Sequence, residues 1–236
     1  VIPTSNLDAA DANENFDGCV KNTAVHHRYD KYIYTEDLDT EKLFPICNEA
    51  LKHFPDNKDI LFALGRLNEA EKNYEEALTY FHDAYDQGSA DAAVSIGKFN
   101  FYGHGVDPSN EKSYEWQKKA ANMGSIMALY NIGRHYQYGY FVDQNYDIAL
   151  SYFRKAAALN ESRANILLGF AYSIEDLGLK KDLEKAKEYY FKEYEIGNVD
   201  AIQALAEIHV FESDDKLDVV NGIETLKRLA VDDENL

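Results

Sequence analysis

Glycine residues recur in this chain at a fixed interval, and this spacing constrains the fold more than any other feature. Gly97, Gly133 and Gly169 lie 36 residues apart, and Gly88 and Gly124 are separated by the same distance. A period of this size is typical of arrays of stacked two-helix units, because each unit must bury its apolar face against a neighbour. The sequence therefore predicts an all-α fold of stacked helix-turn-helix repeats.

Other residues recur in phase with the glycines. Alanine and aromatic residues form two further columns, which are Ala92, Ala128, Ala164 and Ala201, and Tyr80, Trp116, Tyr152 and Tyr189. Within each copy the apolar spacing is that of a helix, so that Leu129, Ile132 and Tyr136 share one face. Small residues are expected where two helix axes approach closely. A larger side chain in the Gly133 column would cost about 1–3 kcal/mol through overpacking.

Residues 89–124 carry three motifs that are partly repeated in 125–160 and 161–198. They are the small-residue segment Ala92–Gly97, the loop Tyr102-Gly103-His104-Gly105-Val106 and the ending Ala120-Ala121-Asn122-Met123-Gly124. This pattern resembles the Sel1-like repeat family, whereas residues 46–88 look more like a tetratricopeptide unit because their loop is short. The resemblance implies a right-handed α/α superhelix, or solenoid, of Sel1-like and tetratricopeptide-like repeats.

The repeats suggest where the array begins and ends. We expect a polar N-terminal leader over residues 1–40, partly ordered, followed by one continuous solenoid over residues 41–236. The expected units cover about 58–88, 89–124, 125–160, 161–198 and 199–236.

Charge excludes some classes of partner. The formal net charge is −18 and is concentrated towards the two ends of the chain, outside residues 57–198. Nucleic-acid binding requires clustered lysine and arginine residues, so this composition argues against a nucleic-acid partner. No apolar run approaches the roughly 18 residues that cross a bilayer, so membrane insertion is not expected. The oligomeric state is left open.

The two cysteines, Cys19 and Cys47, both precede the recognisable repeats and belong to no metal-binding motif. They could form a disulfide bond between the leader and the first helix of the array, or they could be two unrelated thiols. The chain begins at Val1, which fits either removal of an export signal or trimming. Because many Sel1-like proteins are periplasmic, the resemblance implies a bacterial protein that is periplasmic or secreted, with a cytoplasmic location as the alternative.

Few residue patterns point to catalysis, a metal or a cofactor. Two S-x-x-K matches within residues 89–124, Ser95–Lys98 and Ser109–Lys112, invite comparison with serine hydrolases because some Sel1-like proteins have been proposed to bind or hydrolyse β-lactams. Neither S-D-N nor K-T-G accompanies them, and such short matches also arise by chance. We therefore predict no enzyme activity, no catalytic residues, no metal and no cofactor.

The first helix of each repeat offers the better candidates for binding. In arrays of this kind the residue after the first-helix glycine is expected to face the concave groove, together with neighbours on the same face. The predicted partner-binding residues are Phe62, Arg66, Lys98, Phe101, Tyr102, Tyr130, Arg134, Gln137, Tyr138 and Phe170. Arg66, Lys98 and Arg134 would form a basic stripe suited to an acidic or extended segment. Alternatively, these cations pair with neighbouring acids on a solvated helix surface.

Two classes of function follow. The first is a non-catalytic adaptor, scaffold or inhibitor that binds a protein or peptide in the groove, with a bacterial immunity protein as a specific case. The second is a β-lactam-hydrolysing or peptidoglycan-related enzyme, as the family resemblance allows. The missing cluster of nucleophile, base and orienting group favours the binding module.

Overall fold

The structure is a computed structural model that describes residues 4–23, 38–212, 221, 224 and 225. These residues form helices joined by short turns and contain no strand. The helices are α1 (Thr4–Thr23), α2 (Thr40–His53), α3 (Lys58–Ala70), α4 (Tyr74–Asp86), α5 (Ala90–Tyr102), α6 (Asn110–Asn122), α7 (Ile126–Tyr138), α8 (Tyr146–Ala158), α9 (Ser162–Ile174), α10 (Leu183–Tyr194) and α11 (Val199–Glu212). Most of the second half of the predicted unit 199–236 lies outside the described residues.

Local sequence sets the ends of these helices. Polar side chains precede several helices and accept a hydrogen bond from a backbone N–H of the first turn, as Ser89 does for α5 and Asn145 for α8. Gly103 ends α5 in the left-handed conformation, with φ 75°, where glycine avoids the steric penalty of a Cβ. These caps reverse the chain after about 13 residues, so consecutive helices pack as antiparallel pairs.

The chain divides into two compact units, residues 1–128 and 129–236, with the division inside α7. The first unit begins with α1, which packs against both α2 and α3. A disulfide bond joins Cys19 of α1 to Cys47 of α2, one of the two alternatives that the sequence left open. The sequence placed residues 1–40 in a leader outside the array, whereas the structure makes α1 part of the first unit's core.

The helical spacing of Ala12, Phe16, Cys19 and Thr23 explains how a polar segment packs in this way. Ala12, Cys19 and Thr23 are buried, and Phe16 and Cys19 lie in or against a core cluster with residues of α2 and α3. The neighbouring positions carry the Asn and Asp residues that made the segment read as a leader. A few buried positions on one face are enough to dock a helix that is polar elsewhere.

Helices α3 and α4 of the first unit are held together by close contact between a glycine and an aromatic ring. A Cβ placed on Gly65 of α3 would lie 2.6 Å from the ring of Phe81 in α4. Phe81 is fully buried and meets Phe62 and Phe99 at centroid distances of 5.6 and 5.3 Å. The ring of the second helix therefore fills the space that the missing side chain leaves free.

The second unit repeats this contact. A Cβ on Gly133 of α7 would lie 2.5 Å from the Phe153 ring of α8, and one on Gly169 of α9 would lie 2.8 Å from the Tyr190 ring of α10. Buried alanines share a core cluster with each ring: Ala149, Ala156 and Ala164 with Phe153, and Ala186 and Ala201 with Tyr190. The prediction that small residues mark close helix contacts is confirmed in this unit.

The repeat copy over residues 161–198 departs from the small-residue pattern at one buried position. Glu193 stands where the preceding copy has Ala156, and its carboxylate is almost completely buried. The Asn165 side-chain amide donates to Glu193 at 2.7 Å, and the Ser162 hydroxyl donates to the other carboxylate oxygen. Because both partners belong to α9, this network fixes α9 against α10.

The close contact at Gly133 predicts that a Gly→Ala substitution there changes the stability of the fold in the direction opposite to the usual one. In most helices Gly→Ala stabilises the fold by about 1 kcal/mol. We expect Gly133→Ala to destabilise the second unit instead, by about 1–3 kcal/mol, because the added methyl group overlaps a buried ring. Chemical denaturation of the wild type and the variant measures this difference.

Phe153→Leu provides the control for Gly133→Ala, because it removes the ring that the methyl group would meet. In that background Gly133→Ala should cost clearly less, giving a favourable coupling energy in a double-mutant cycle. A Gly133→Ala variant that is more stable than the wild type would show that the two helices do not pack as described.

Candidate functional site

The predicted partner-binding residues differ in how accessible they are. Tyr102, Tyr138 and Phe170 are exposed, and Lys98, Phe101 and Arg134 are half-buried. The other four are buried and present little surface to a partner; they are Phe62, Arg66, Tyr130 and Gln137. Whether the accessible residues contact a partner remains a prediction.

The buried members have structural neighbours that the helix pattern did not reveal. Phe62 packs on Phe81, and Tyr130 packs on Phe153 at a centroid distance of 5.5 Å. The Gln137 backbone carbonyl accepts a hydrogen bond from the Gln144 side chain at 2.8 Å. The expectation that these side chains line an open groove is therefore corrected, because all three are buried.

Arg66 requires a similar correction. Its guanidinium is only 4% exposed and donates to the backbone carbonyl of Thr23, the last residue of α1. The polar residues of α1 predicted a leader, so the sequence did not reveal that this helix covers Arg66. A free positive charge is not available at this position of the first unit.

Lys98 supports the alternative interpretation of the stripe. Its ammonium group forms an ion pair with Glu69 at 2.5 Å, so a carboxylate of the neighbouring first helix already balances its charge. The same ion pair occupies the lysine of the Ser95–Lys98 match. In the second match, the Ser109 hydroxyl accepts a hydrogen bond from the Lys112 backbone N–H as the cap of α6. Both motifs thus have structural explanations.

Arg134 is the cation of the predicted stripe whose charge is both accessible and not balanced by a carboxylate in the described structure. Its terminal nitrogen donates to the Tyr130 hydroxyl at 3.1 Å, and its guanidinium carbon lies 4.7 Å from the centroid of the Tyr138 ring. Its Nε atom is buried and lacks a hydrogen-bond partner among the described residues. The tyrosines orient the guanidinium without neutralising it, because a phenol oxygen carries no formal charge at neutral pH.

The pKa of Arg134 follows from the same surroundings. Burial acts to lower its pKa, but the hydrogen bond to Tyr130 and the nearby hydroxyls of Tyr138 and Tyr140 outweigh this effect, so the pKa is raised. The side chain therefore stays positively charged at every physiological pH.

A second arginine, which sequence analysis did not select, lies beside this site. Arg163 of α9 places its guanidinium carbon 4.5 Å from the Tyr130 ring centroid. Its charge is balanced by Glu161, whose carboxylate lies 2.7 Å from the Arg163 guanidinium. Tyr130 thus links α7 to α9, the first helices of consecutive pairs. No repeat column marks Arg163, so a pattern of recurring residues could not identify it.

The buried side chain of His135 holds the loop after α7 in place. The ring of Tyr138 stacks on Tyr140 with centroids 5.3 Å apart, and the Tyr140 carbonyl lies 2.8 Å from His135 Nδ1. Burial lowers the pKa of His135, although the contact with the Tyr140 carbonyl acts in the opposite direction. A neutral imidazole therefore anchors the tyrosine pair, with its Nδ1–H donating to the carbonyl.

Phe170 extends the exposed surface onto α9. It stands in the same repeat column as Arg134, and its side chain is half exposed. We call Arg134, Tyr138 and Phe170, which lie on the first helices of the second unit, the α7–α9 face. This face combines an unbalanced cation with two accessible aromatic side chains, a composition that suits protein recognition.

Other kinds of site receive little support from the described residues. None of them form a group of three or more histidine, cysteine, aspartate or glutamate side chains that could hold a metal ion. In the same part of the chain, no helix combines the length and apolar character required to span a bilayer.

Comparison with known proteins supports the repeat pattern. The model of the Sel1 repeat matches residues 90–125, 126–161 and 162–192, and a tetratricopeptide repeat model matches residues 48–92. No curated protein matches the chain in sequence. The three Sel1 matches follow the helix pairs α5–α6, α7–α8 and α9–α10, and the tetratricopeptide match covers α3 and α4 together with the end of α2 and the start of α5.

Solved structures show the same architecture. A Sel1 repeat protein from Oxalobacter formigenes is similar with a TM-score of 0.71 and 22% identity, over 94% of this chain and 88% of that one. An immunity protein from Pseudomonas aeruginosa gives 0.62 and 18%, over 94% and 82%. A protective antigen of uropathogenic Escherichia coli gives 0.61 and 19%, over 94% of this chain but only 46% of that one. At such identities the likeness concerns the fold alone, and it confirms the predicted all-α repeat class.

Phe141, in the loop beside this face, allows a test of whether its left-handed backbone lowers the stability of the fold. It replaces the second loop glycine, Gly105, and adopts the same left-handed backbone with φ 70°, although its side chain is half exposed. A bulky residue in this region carries strain of about 1–3 kcal/mol. We therefore expect Phe141→Gly to leave the free energy of unfolding unchanged or raise it by up to about 1 kcal/mol in chemical denaturation.

The adjacent substitution Val142→Gly serves as the control, since Val142 is half-buried and does not have a positive φ. It should lower stability, because glycine loses more backbone entropy on folding and buries less surface. Equal losses in both variants would mean that the Phe141 ring is needed for folding.

Proposed function

Because the chain belongs to the Sel1-like repeat family of the tetratricopeptide-like superfamily, we propose that it is a non-catalytic module that binds a protein partner on the α7–α9 face. Sel1 and tetratricopeptide repeats form scaffolds for protein interaction, and these families are typically not enzymes. The observation that carries the proposal is the exposure of Tyr138 and Phe170 beside the half-buried Arg134 on two first helices.

The energetics of the face support binding rather than folding as the role of these residues. Exposed aromatic side chains contribute little to stability but can bury a large area against a partner at low entropic cost. Arg134 adds a charged guanidinium whose described hydrogen bond goes to a neutral tyrosine hydroxyl. A partner that covers the face would therefore gain apolar contact and a directed polar interaction together.

The enzyme alternative lacks a comparable observation. Lys98 is engaged with Glu69, and Ser109 caps α6, so each S-x-x-K match contains a group with a structural role. Nucleophilic catalysis would need a base beside the serine hydroxyl and donors for the oxyanion. The described geometry therefore favours the binding module over a β-lactam-hydrolysing enzyme.

The proposal predicts that one phenylalanine is needed for binding and another is not. Phe170 of α9 and Phe191 of α10 are 51% and 48% exposed, but they lie on opposite helices of one pair. We expect Phe170→Asp to reduce capture of the native partner at least about tenfold, because a buried contact is replaced by a charge. Affinity purification from the native host, with quantitative mass spectrometry, measures the retained partner.

Phe191→Asp is the matched control, with the same residue type, the same exposure and the same change in charge. It should retain the partner at the wild-type level, and both variants should unfold at nearly the wild-type temperature. Loss of the partner in Phe191→Asp alone would move the binding surface to the second helices and overturn the proposal.

A finer form of the proposal is that the protein neutralises a toxin as a bacterial immunity protein. The fold is shared with an immunity protein from Pseudomonas aeruginosa, and a second such protein is similar with a TM-score of 0.58 and 16% identity. A location in the periplasm or outside the cell is part of this proposal. It is supported by the Cys19–Cys47 disulfide, because such bonds persist mainly in oxidising compartments.

The immunity role predicts a protective effect that depends on the same face. Production of the captured partner in the compartment where it acts should stop growth of a bacterial host, and the wild-type chain should restore growth. Phe170→Asp should fail to protect, whereas Phe191→Asp should protect fully. A captured partner without toxicity would exclude the immunity role and leave the binding module in place.

A further inference from the structure

Arg134 differs from the other two cations of the predicted stripe, and from Arg163 of α9, in what surrounds its charge. Lys98 and Arg163 each contact a carboxylate, and Arg66 donates to a backbone carbonyl. Within the described chain Arg134 instead donates to the Tyr130 hydroxyl, which leaves its formal charge unbalanced. Of the five N–H donors of the guanidinium, one is used by Tyr130 and the Nε–H is buried, so the other terminal N–H groups are left for an external acceptor.

The position of this guanidinium is fixed before any ligand arrives. Tyr138 stacks on it at 4.7 Å, Tyr140 stacks on Tyr138, and His135 contacts the Tyr140 carbonyl. These contacts connect Arg134 to a buried histidine of its own helix. A donor held in this way loses little conformational freedom on binding, which favours a directed interaction with a planar carboxylate.

The charge around the face restricts the kind of anion that this site can attract. Residues 57–198, which contain the face, hold 21 acidic and 16 basic side chains, and this excess of negative charge opposes highly charged ligands such as phosphate-rich polymers or strongly acidic segments. A single carboxylate in an otherwise uncharged, apolar segment experiences much less of this repulsion. The local positive charge of Arg134 can then decide its binding.

Phe170 sets the second requirement for the ligand. It occupies the column of Arg134 on α9, and the contact between Arg163 and Tyr130 shows that α7 and α9 lie side by side. Packed helix axes are separated by about 8–10 Å, and an extended chain advances about 3.3 Å per residue. A segment that crosses both helices would therefore place an acidic and an apolar side chain about three residues apart.

We propose that the α7–α9 face recognises an extended segment of its partner through one Asp or Glu side chain, bound by Arg134, and one apolar side chain about three residues away, bound by Phe170. This inference rests on the proposed function and specifies its ligand. The carboxylate belongs to an internal side chain of the partner, and recognition of a chain terminus is the alternative that the experiment must exclude.

Selection of random linear peptides displayed on phage, with the complete chain as bait, tests the proposal without knowledge of the partner. We expect enriched peptides to contain one acidic residue about three positions from an aromatic or aliphatic one. An enriched peptide is then synthesised with an amidated C-terminus, and its affinity is measured by fluorescence anisotropy. Exchange of its acidic residue for the corresponding amide should weaken binding to the wild type about tenfold or more.

The variant Arg134→Gln should bind the parent peptide about tenfold more weakly, and there the acid-to-amide exchange should have almost no further effect. Arg154→Gln is the matched control, because Arg154 lies on α8 and also donates to a tyrosine hydroxyl, that of Tyr172. It should behave as the wild type does. Because the acid-to-amide comparison uses unaltered protein, poor folding of Arg134→Gln would not prevent a decision.

Other outcomes overturn the proposal in distinct ways. An equal effect of the amide exchange on the wild type and a folded Arg134→Gln would remove Arg134 from recognition of the carboxylate. A requirement for a free C-terminal carboxylate would replace the side chain by a chain terminus. Capture of the native partner on this face without enrichment of any peptide would exclude an extended segment and retain the proposed function, and failure of both would remove that function as well.

Discussion

Close contact between a helical glycine and a buried side chain of the next helix is the interaction on which the described repeats depend. Gly65, Gly133 and Gly169 each face an aromatic ring at a distance that excludes even a methyl group, and Gly97 faces Gln117 in the same manner. The space vacated by the missing side chain is filled to the density of a protein interior. The pairing of helices within each unit follows from this contact, since another residue would force the two axes apart.

The contact also determines which surface remains available for binding in the second unit. When α8 and α10 insert Phe153 and Tyr190 under the glycines, they occupy one side of α7 and α9. Residues next in sequence to those glycines, Arg134 and Phe170, then lie beside that contact, half-buried and exposed respectively. A structural requirement for glycine at one position thus specifies the location of functional residues at the next.

Sequence periodicity predicted the fold more fully than the site, for a physical reason. Packing between repeats recurs in every copy, so the Gly133 and Ala128 columns report it directly. The surroundings of a surface side chain do not recur. Tyr130 was predicted to contact a partner but packs on Phe153, because a helix face alone does not show how far the neighbouring helices extend over it. The helical spacing of Ala12, Phe16 and Cys19 would have revealed α1, although its polar residues suggested a leader.

The residues that follow the repeat glycines illustrate how neighbours, rather than residue type, decide function. Arg66 is buried where α1 ends, and Lys98 is balanced by Glu69, so neither offers a charge that is both accessible and unbalanced. Arg134 has the same chemistry as Arg66 but is bordered by tyrosines, which orient it and leave its charge intact. Phe170 then continues the column with an apolar side chain. Equivalent positions in an otherwise regular array therefore differ in role, because the side chains packed around them are not repeated.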